Sequence, residues 1–114
     1  HDGPIQPDQS ARFGWEHNNP LIPLVIENKE RKGLLPESMS FCQMTPPNVI
    51  MSSLKRSENG RGIILRCYET RGEQATGKIE TFRPVKEAFL TNIIEEDQRK
   101  LPVYENATEF PIEG

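Results

Sequence analysis

The side chains in this 114-residue chain that could do chemistry are few and scattered. There are two histidines, His1 and His17, and two cysteines, Cys42 and Cys67. No His-x-x-x-His or Cys-x-x-Cys pair occurs, so the ligand spacing of a dedicated zinc site is missing. His1, Asp2 and His17 could hold a metal only by converging across the fold, and a terminal histidine reads more simply as exposed. Both cysteines sit in apolar runs and read as small buried thiols, not as a disulfide scaffold. The adjacent acids Glu95, Glu96 and Asp97 invite comparison with the paired carboxylates of acid–base hydrolysis. A general acid needs a desolvated carboxyl with a raised pKa. This triplet lies beside Arg99 and Lys100 and reads as a solvated loop. Neither Gly-x-x-x-x-Gly-Lys-Ser/Thr nor Gly-x-Ser-x-Gly occurs. Asn59-Gly60-Arg61-Gly62 has close glycines but fits a hairpin and opens no helix. Asn106-Ala107-Thr108 matches a glycosylation sequon, read as a chance match because no secretory signal precedes it. No catalytic, cofactor-binding or metal-binding residue is therefore assigned.

The aromatic residues are the remaining chemical resource. Sugar-binding sandwiches stack pyranose rings on exposed aromatics, and Trp15, Tyr68 and Tyr104 are the candidates. An exposed, contiguous pair among them would favour a carbohydrate-binding module. Burial of all three would weaken that reading.

The elements that would position these groups are short strands. Residues 1–20 read as irregular and polar, with turn formers at His1-Asp2-Gly3-Pro4 and Asn18-Asn19-Pro20. Phe13 and Trp15, two apart, would share one face of an extended piece. Leu21–Ile26 is a β-type run in which Pro23 predicts an edge strand or a bulge. Glu27–Gly33 is a charged loop and the most mobile internal segment expected. Met39–Met44 and Val49–Leu54 are strand candidates on either side of Thr45-Pro46-Pro47. Ser57-Glu58-Asn59-Gly60 carries the strongest short hairpin signal. Gly62–Tyr68 is the most apolar segment and is predicted at the centre of a sheet. Residues 75–82 alternate, with Ala75, Gly77, Ile79 and Thr81 on one face and Thr76, Lys78 and Glu80 on the other. Ala88–Ile94 reads as a strand, Glu95–Lys100 as a polar loop, and Val103-Tyr104 and Phe110-Pro111-Ile112 as the last apolar fragments. Six or seven short strands with turns every 8–12 residues predict an all-β fold, an antiparallel β-sandwich, with terminal strands missing.

Composition agrees. Hydrophobic residues make up 34% and mean hydropathy is -0.66, so the core should be small. Ten Pro and eight Gly are too many for a helical bundle. A net charge of -3 with a pI near 5.4 argues against a general nucleic-acid binder. The apolar runs are too short for a transmembrane helix. The chain opens at His1 without an initiator Met and reads as a piece of a longer polypeptide, itself a single sandwich domain over 1–114: an irregular segment 1–20 and a strand-rich region 21–114.

The order of segments resembles the C-terminal β domain of glycoside hydrolase family 38, the α-mannosidases, in their bacterial and cytosolic branch. The matching pieces are His1-Asp2-Gly3, Asn18-Asn19-Pro20-Leu21, Met39-Ser40-Phe41 and Asn48-Val49-Ile50-Met51-Ser52-Ser53-Leu54-Lys55. After an acidic turn come Gly62 through Glu69, Gly72-Glu73, the alternating strand 75–82, and Pro84 through Glu96. The resemblance implies a parent enzyme that hydrolyses terminal α-mannosides by a retaining mechanism. Its zinc ion and Asp nucleophile would belong to a large N-terminal α/β domain, so this chain would carry no catalytic residue and no cofactor. The implied location is cytoplasmic. The implied partner is the catalytic domain of the same polypeptide, and carbohydrate substrate would be met only through that parent. Strand edges left open by missing terminal strands would favour a homo-oligomer. Phe13, Trp15, Tyr68 and the 21–26 edge are the expected apolar contacts. The alternative is the carbohydrate-binding module; a free-standing enzyme lacks its nucleophile and base.

Overall fold

The computed structural model describes residues 3–25, 33 and 35–113. One helix, α1 (Pro7–Asn18), precedes eight strands: β1 (Cys42–Thr45), β2 (Val49–Arg56), β3 (Ile63–Glu69), β4 (Ala75–Thr81), β5 (Ala88–Thr91), β6 (Asp97–Leu101), β7 (Val103–Tyr104) and β8 (Ala107–Ile112). Every pairing is antiparallel. A four-stranded sheet runs β1-β4-β8-β7, and two ribbons, β2-β3 and β5-β6, accompany it. This is the all-β sandwich that the turn spacing predicts.

The core is small, as the composition requires. Ile79 of β4, Leu101 of β6 and Phe110 of β8 form its buried centre, with Cys42, Met44, Leu65, Cys67 and Ala88 half-buried against it. The sheet and both ribbons thus meet on one apolar cluster, which is what makes three separate pairings one fold. The alternation read over residues 75–82 appears in β4, where Gly77 and Ile79 are buried. On the wet face Lys78 pairs with Glu80 at 2.7 Å. Gly77 lies opposite Phe110 in the register, and its missing side chain leaves room for that ring. Pro111 is tolerated in β8 because β7 pairs only with Ala107 and Thr108, so Pro111 lies where β8 has one neighbour.

The Asn-Gly hairpin forms as expected between β2 and β3. Gly60 takes a φ of +71°, and Ser57 Oγ accepts from the Gly62 N–H at 2.9 Å. The glycine pair therefore builds a turn.

Four expectations need correction. Residues 7–18 are helical, so Phe13 and Trp15 do not share an extended face. Pro7 at the helix start and Asp8 in its first turn are the local cause: Pro presets φ where no donor is needed, and an acid suits the positive end of the helix. The Asn-Asn-Pro turn former survives as the stop, with Asn18 Nδ2 donating to the Gly14 carbonyl and Asn19 Nδ2 to that of Trp15. Second, Leu21–Val25 is not a strand; Leu21, Ile22, Leu24 and Val25 are all more than four-fifths exposed. Its β-type side chains find no partner strand among the described residues, and Pro20 and Pro23 remove two ladder donors. Ile26, residues 27–32 of the charged loop, and His1-Asp2 lie outside the described residues. Third, β3 is not central: among the described residues it pairs only with β2, and Ile63 is exposed. Apolarity reports that Leu65 and Cys67 face the core, not how many strands flank their backbone. Fourth, the polar stretch at 97–100 is strand, not loop. Asn92 Oδ1 accepts from the N–H groups of Ile94 and Glu96, Glu95 takes a φ of 65°, and the chain returns along β5. The side chains of β6 from Asp97 to Lys100 are polar and exposed although its backbone is paired with β5.

Candidate functional site

Where α1 meets the β2-β3 ribbon and the loops at its end, three helix side chains bond to residues far along the chain. On the helix, Asp8, Arg12 and Trp15 fall on one face by their spacing of four and three. Each has a partner on the ribbon or the loops at its end. Arg71 Nη2 donates to Asp8 Oδ1 at 3.0 Å. Arg12 Nη2 donates to the Pro47 carbonyl at 3.3 Å. Trp15 Nε1 donates to the Tyr68 hydroxyl at 3.0 Å. Asp8 is buried, and the hydrogen bond from Arg71 holds its carboxyl below the usual range against the opposing effect of burial.

Beneath this contact Glu69 closes the open end of the ribbon. Its carboxylate accepts from Asn48 Nδ2 at 2.6 Å, from the Arg71 N–H at 2.8 Å and from the Glu73 N–H at 2.9 Å. Burial pushes this carboxyl up, but the Glu73 N–H, the Asn48 amide and the Arg71 and Gly72 N–H groups together bring it down to about 2. Asn48 and Glu69 sit in two of the segments that carry the family resemblance. Spacing alone could not pair them, because they are opposite ends of a hairpin.

The helix also forms one wall of a shallow groove of about 410 Å³, lined by Trp15, Glu16, Asn19, Met51, Ser52, Ser53 and Leu54. The β2-β3 register shifts between Met51 and Ser53, so Ser53 lies opposite Arg66 while Met51 and Leu54 lie opposite the core-packed Cys67 and Leu65. Ser52 Oγ donates to the Arg66 carbonyl at 3.2 Å, and Asn19 Nδ2 is held by the helix.

Trp15 and Tyr68 are thus brought together, and each keeps a little over a third of its surface exposed. Tyr104 is exposed too, but lies on β7 in the other sheet. Phe13 is exposed and stacks on His17 at a ring separation of 6.4 Å. The exposed Phe13 and Leu21–Val25 are available for the apolar contacts expected of them.

The acidic triplet differs from its expectation in one respect. Glu95 is not a solvated loop residue: its side chain is 8% exposed and pairs with Lys55, and its Oε2 accepts from the Glu58 N–H at 2.9 Å. Those partners hold its carboxyl below the ordinary range, the opposite of what a general acid needs. Cys67 is half-buried, and burial pushes its thiol up, which suits an inert packing residue. Both polar side chains of the sequon are engaged: Asn106 Nδ2 donates to the Thr81 carbonyl at 3.0 Å and Thr108 Oγ1 to that of Pro102 at 2.7 Å. Among the described residues no three His, Cys, Asp or Glu side chains cluster so as to hold a metal, so the residues on view do not fit a zinc site. No helix among them is long and apolar enough to cross a membrane.

Compared with known proteins, residues 48–113 match the family model described as the glycosyl hydrolases family 38 C-terminal beta sandwich domain. That span runs from Asn48 almost to the end of the chain and contains β2 through β8. No curated protein and no solved structure matches the chain.

Proposed function

Because the chain belongs to the family of C-terminal beta sandwich domains of glycosyl hydrolases family 38, we propose that it is the accessory, non-catalytic β domain of an α-mannosidase of the bacterial and cytosolic type. The match over 48–113 carries this reading. The segment order that resembles the α-mannosidases supports the finer activity. In this reading the domain packs on the catalytic domain of its own polypeptide through the exposed Leu21, Ile22, Leu24 and Val25, whose apolar surface calls for a partner. The retaining chemistry and the zinc belong to that catalytic domain, and the protein works in the cytoplasm. The test is an assay of the full polypeptide on aryl α-mannoside, aryl β-mannoside and aryl α-glucoside. Hydrolysis of the α-mannoside, lost on chelation and restored by zinc, is the expected result. Preference for either other glycoside would overturn the mannosidase reading.

A second role is favoured by one observation, the hydrogen-bonded and partly exposed pair Trp15–Tyr68. In that reading the domain also touches carbohydrate.

A further inference from the structure

We propose that Asn59 is a site of spontaneous deamidation that the folded β2-β3 hairpin holds back, so that conversion there records the time the hairpin spends open. Of the asparagines in the chain, Asn59 alone is followed by glycine. The reaction uses the next residue's backbone nitrogen as nucleophile. Gly60 N bonds to Asn59 Cγ and gives up its proton, the Cγ–Nδ2 bond breaks, and Nδ2 leaves as ammonia. Water then opens the cyclic imide at either carbonyl, leaving aspartate or isoaspartate. Gly60 has no Cβ to obstruct the attack, whereas Val49 and Ile93, which follow Asn48 and Asn92, are β-branched. Asn19 precedes Pro20, whose nitrogen has no proton to give up. Asn59 is exposed, so water reaches it.

In the folded hairpin both reacting groups are engaged. Asn59 Oδ1 accepts from the Arg61 N–H at 2.9 Å, an Asx turn, and from Ser57 Oγ at 3.0 Å. The Arg61 N–H can only donate, so the atom it meets is the carbonyl oxygen and not the amide nitrogen. The nucleophile is held as well: the Gly60 N–H donates to the Ser57 carbonyl at 2.9 Å. Ring closure must break these bonds. Two further bonds keep the loop from opening by itself, from the Ser57 N–H to the Gly62 carbonyl at 3.0 Å and from the Glu58 N–H to Glu95 Oε2 at 2.9 Å. The two products differ in consequence. Aspartate keeps an acceptor oxygen for the Arg61 N–H and the Ser57 hydroxyl, so the loop survives. Isoaspartate routes the main chain through Cβ and lengthens it by one carbon inside the loop, which the closing bonds between Ser57 and Gly62 do not accommodate.

The chain is incubated at neutral pH, folded and in guanidinium chloride, and its tryptic peptides are followed by mass spectrometry, with isoaspartate detected by enzymatic methyl transfer. Trypsin cuts after Arg56 and Arg61, so the peptide Ser57–Arg61 isolates Asn59 from the other asparagines. Conversion at Asn59 should be at least about tenfold faster in denaturant than in the folded chain, and in denaturant at least about tenfold faster than at Asn92 or Asn106. Equal rates in the two states would overturn the protection by the hairpin. Equal rates at the three asparagines in denaturant would overturn Asn59 as the site. Ser57→Ala, shown to be folded by far-UV circular dichroism, should convert faster than the parent under native conditions by about threefold or more, the effect of losing one neutral hydrogen bond. An unchanged rate would overturn the part given to the Ser57 hydroxyl. Asn59→Asp should keep the urea midpoint of the parent, while the purified isoaspartate form should unfold at lower urea. An isoaspartate form as stable as the parent would overturn the consequence assigned to the longer main chain.

Discussion

At the scale of single residues, Gly77 and Glu69 carry more of the structure than their types suggest. A Cβ at position 77 would lie well inside van der Waals contact of the Phe110 ring, which is itself in the buried centre. Overpacking of this kind costs about 1–3 kcal/mol. Gly77→Ala should therefore lower the urea midpoint, whereas Gly14→Ala should raise stability by about 0.5–1 kcal/mol, since Gly14 is helical with open space around it. The acids make stability depend on pH. Glu69 sits at about 2 when folded against an ordinary 4.5, and Asp8, Glu87 and Glu95 are also lowered. A carboxyl with a depressed folded pKa binds more protons when unfolded. Its contribution is present above the unfolded pKa and is lost as pH falls through the folded value. Urea midpoints should thus fall between about pH 4.5 and pH 2. Glu69→Gln should be less stable at pH 7 and show a shallower acid slope; an unchanged slope would remove Glu69 from this account.

At the scale of elements, the helix depends on its partners. Twelve residues are marginal as an isolated helix, and α1 has no side-chain N-cap. Its attachment is the set Asp8–Arg71, Arg12–Pro47 and Trp15–Tyr68. The double variant Arg71→Ala with Tyr68→Phe should raise amide exchange throughout Ser10–Asn18 while β4 and β8 stay protected, because the Ile79–Leu101–Phe110 core does not involve the helix. Equal loosening of helix and sheet would show instead that the fold is one cooperative unit. The sequence left α1 unread because its marks, Pro7 and Asp8, are short and its face is polar; a periodic apolar stripe would have been visible. The strand β6 was hidden for the related reason that Asp97, Gln98, Arg99 and Lys100 are all exposed.

At the scale of the whole molecule, the core joins one sheet to two ribbons and leaves long strand edges. β1 and β7 are the outer strands of the sheet, and among the described residues no further strand pairs with either ribbon. Such edges favour pairing between chains. The mass measured by sedimentation should accordingly rise with concentration, and Lys substitutions at the exposed Gln43 and Thr45 on β1 should reduce that rise. A monomeric mass across the whole series would reject self-association.

The sequence by itself determined the all-β class, the hairpin at Asn59-Gly60, the two-faced strand over 75–82 and the family, because turn chemistry, period-two burial and segment order are local or linear properties. Only the tertiary structure decided that Asn48 meets Glu69, that Glu95 is covered and ion-paired, and that the Trp15 indole donates to the Tyr68 hydroxyl. Those contacts join residues far apart in the chain, and the strand register, the bulge and the helix seating that create them are set by how the apolar faces close on one another.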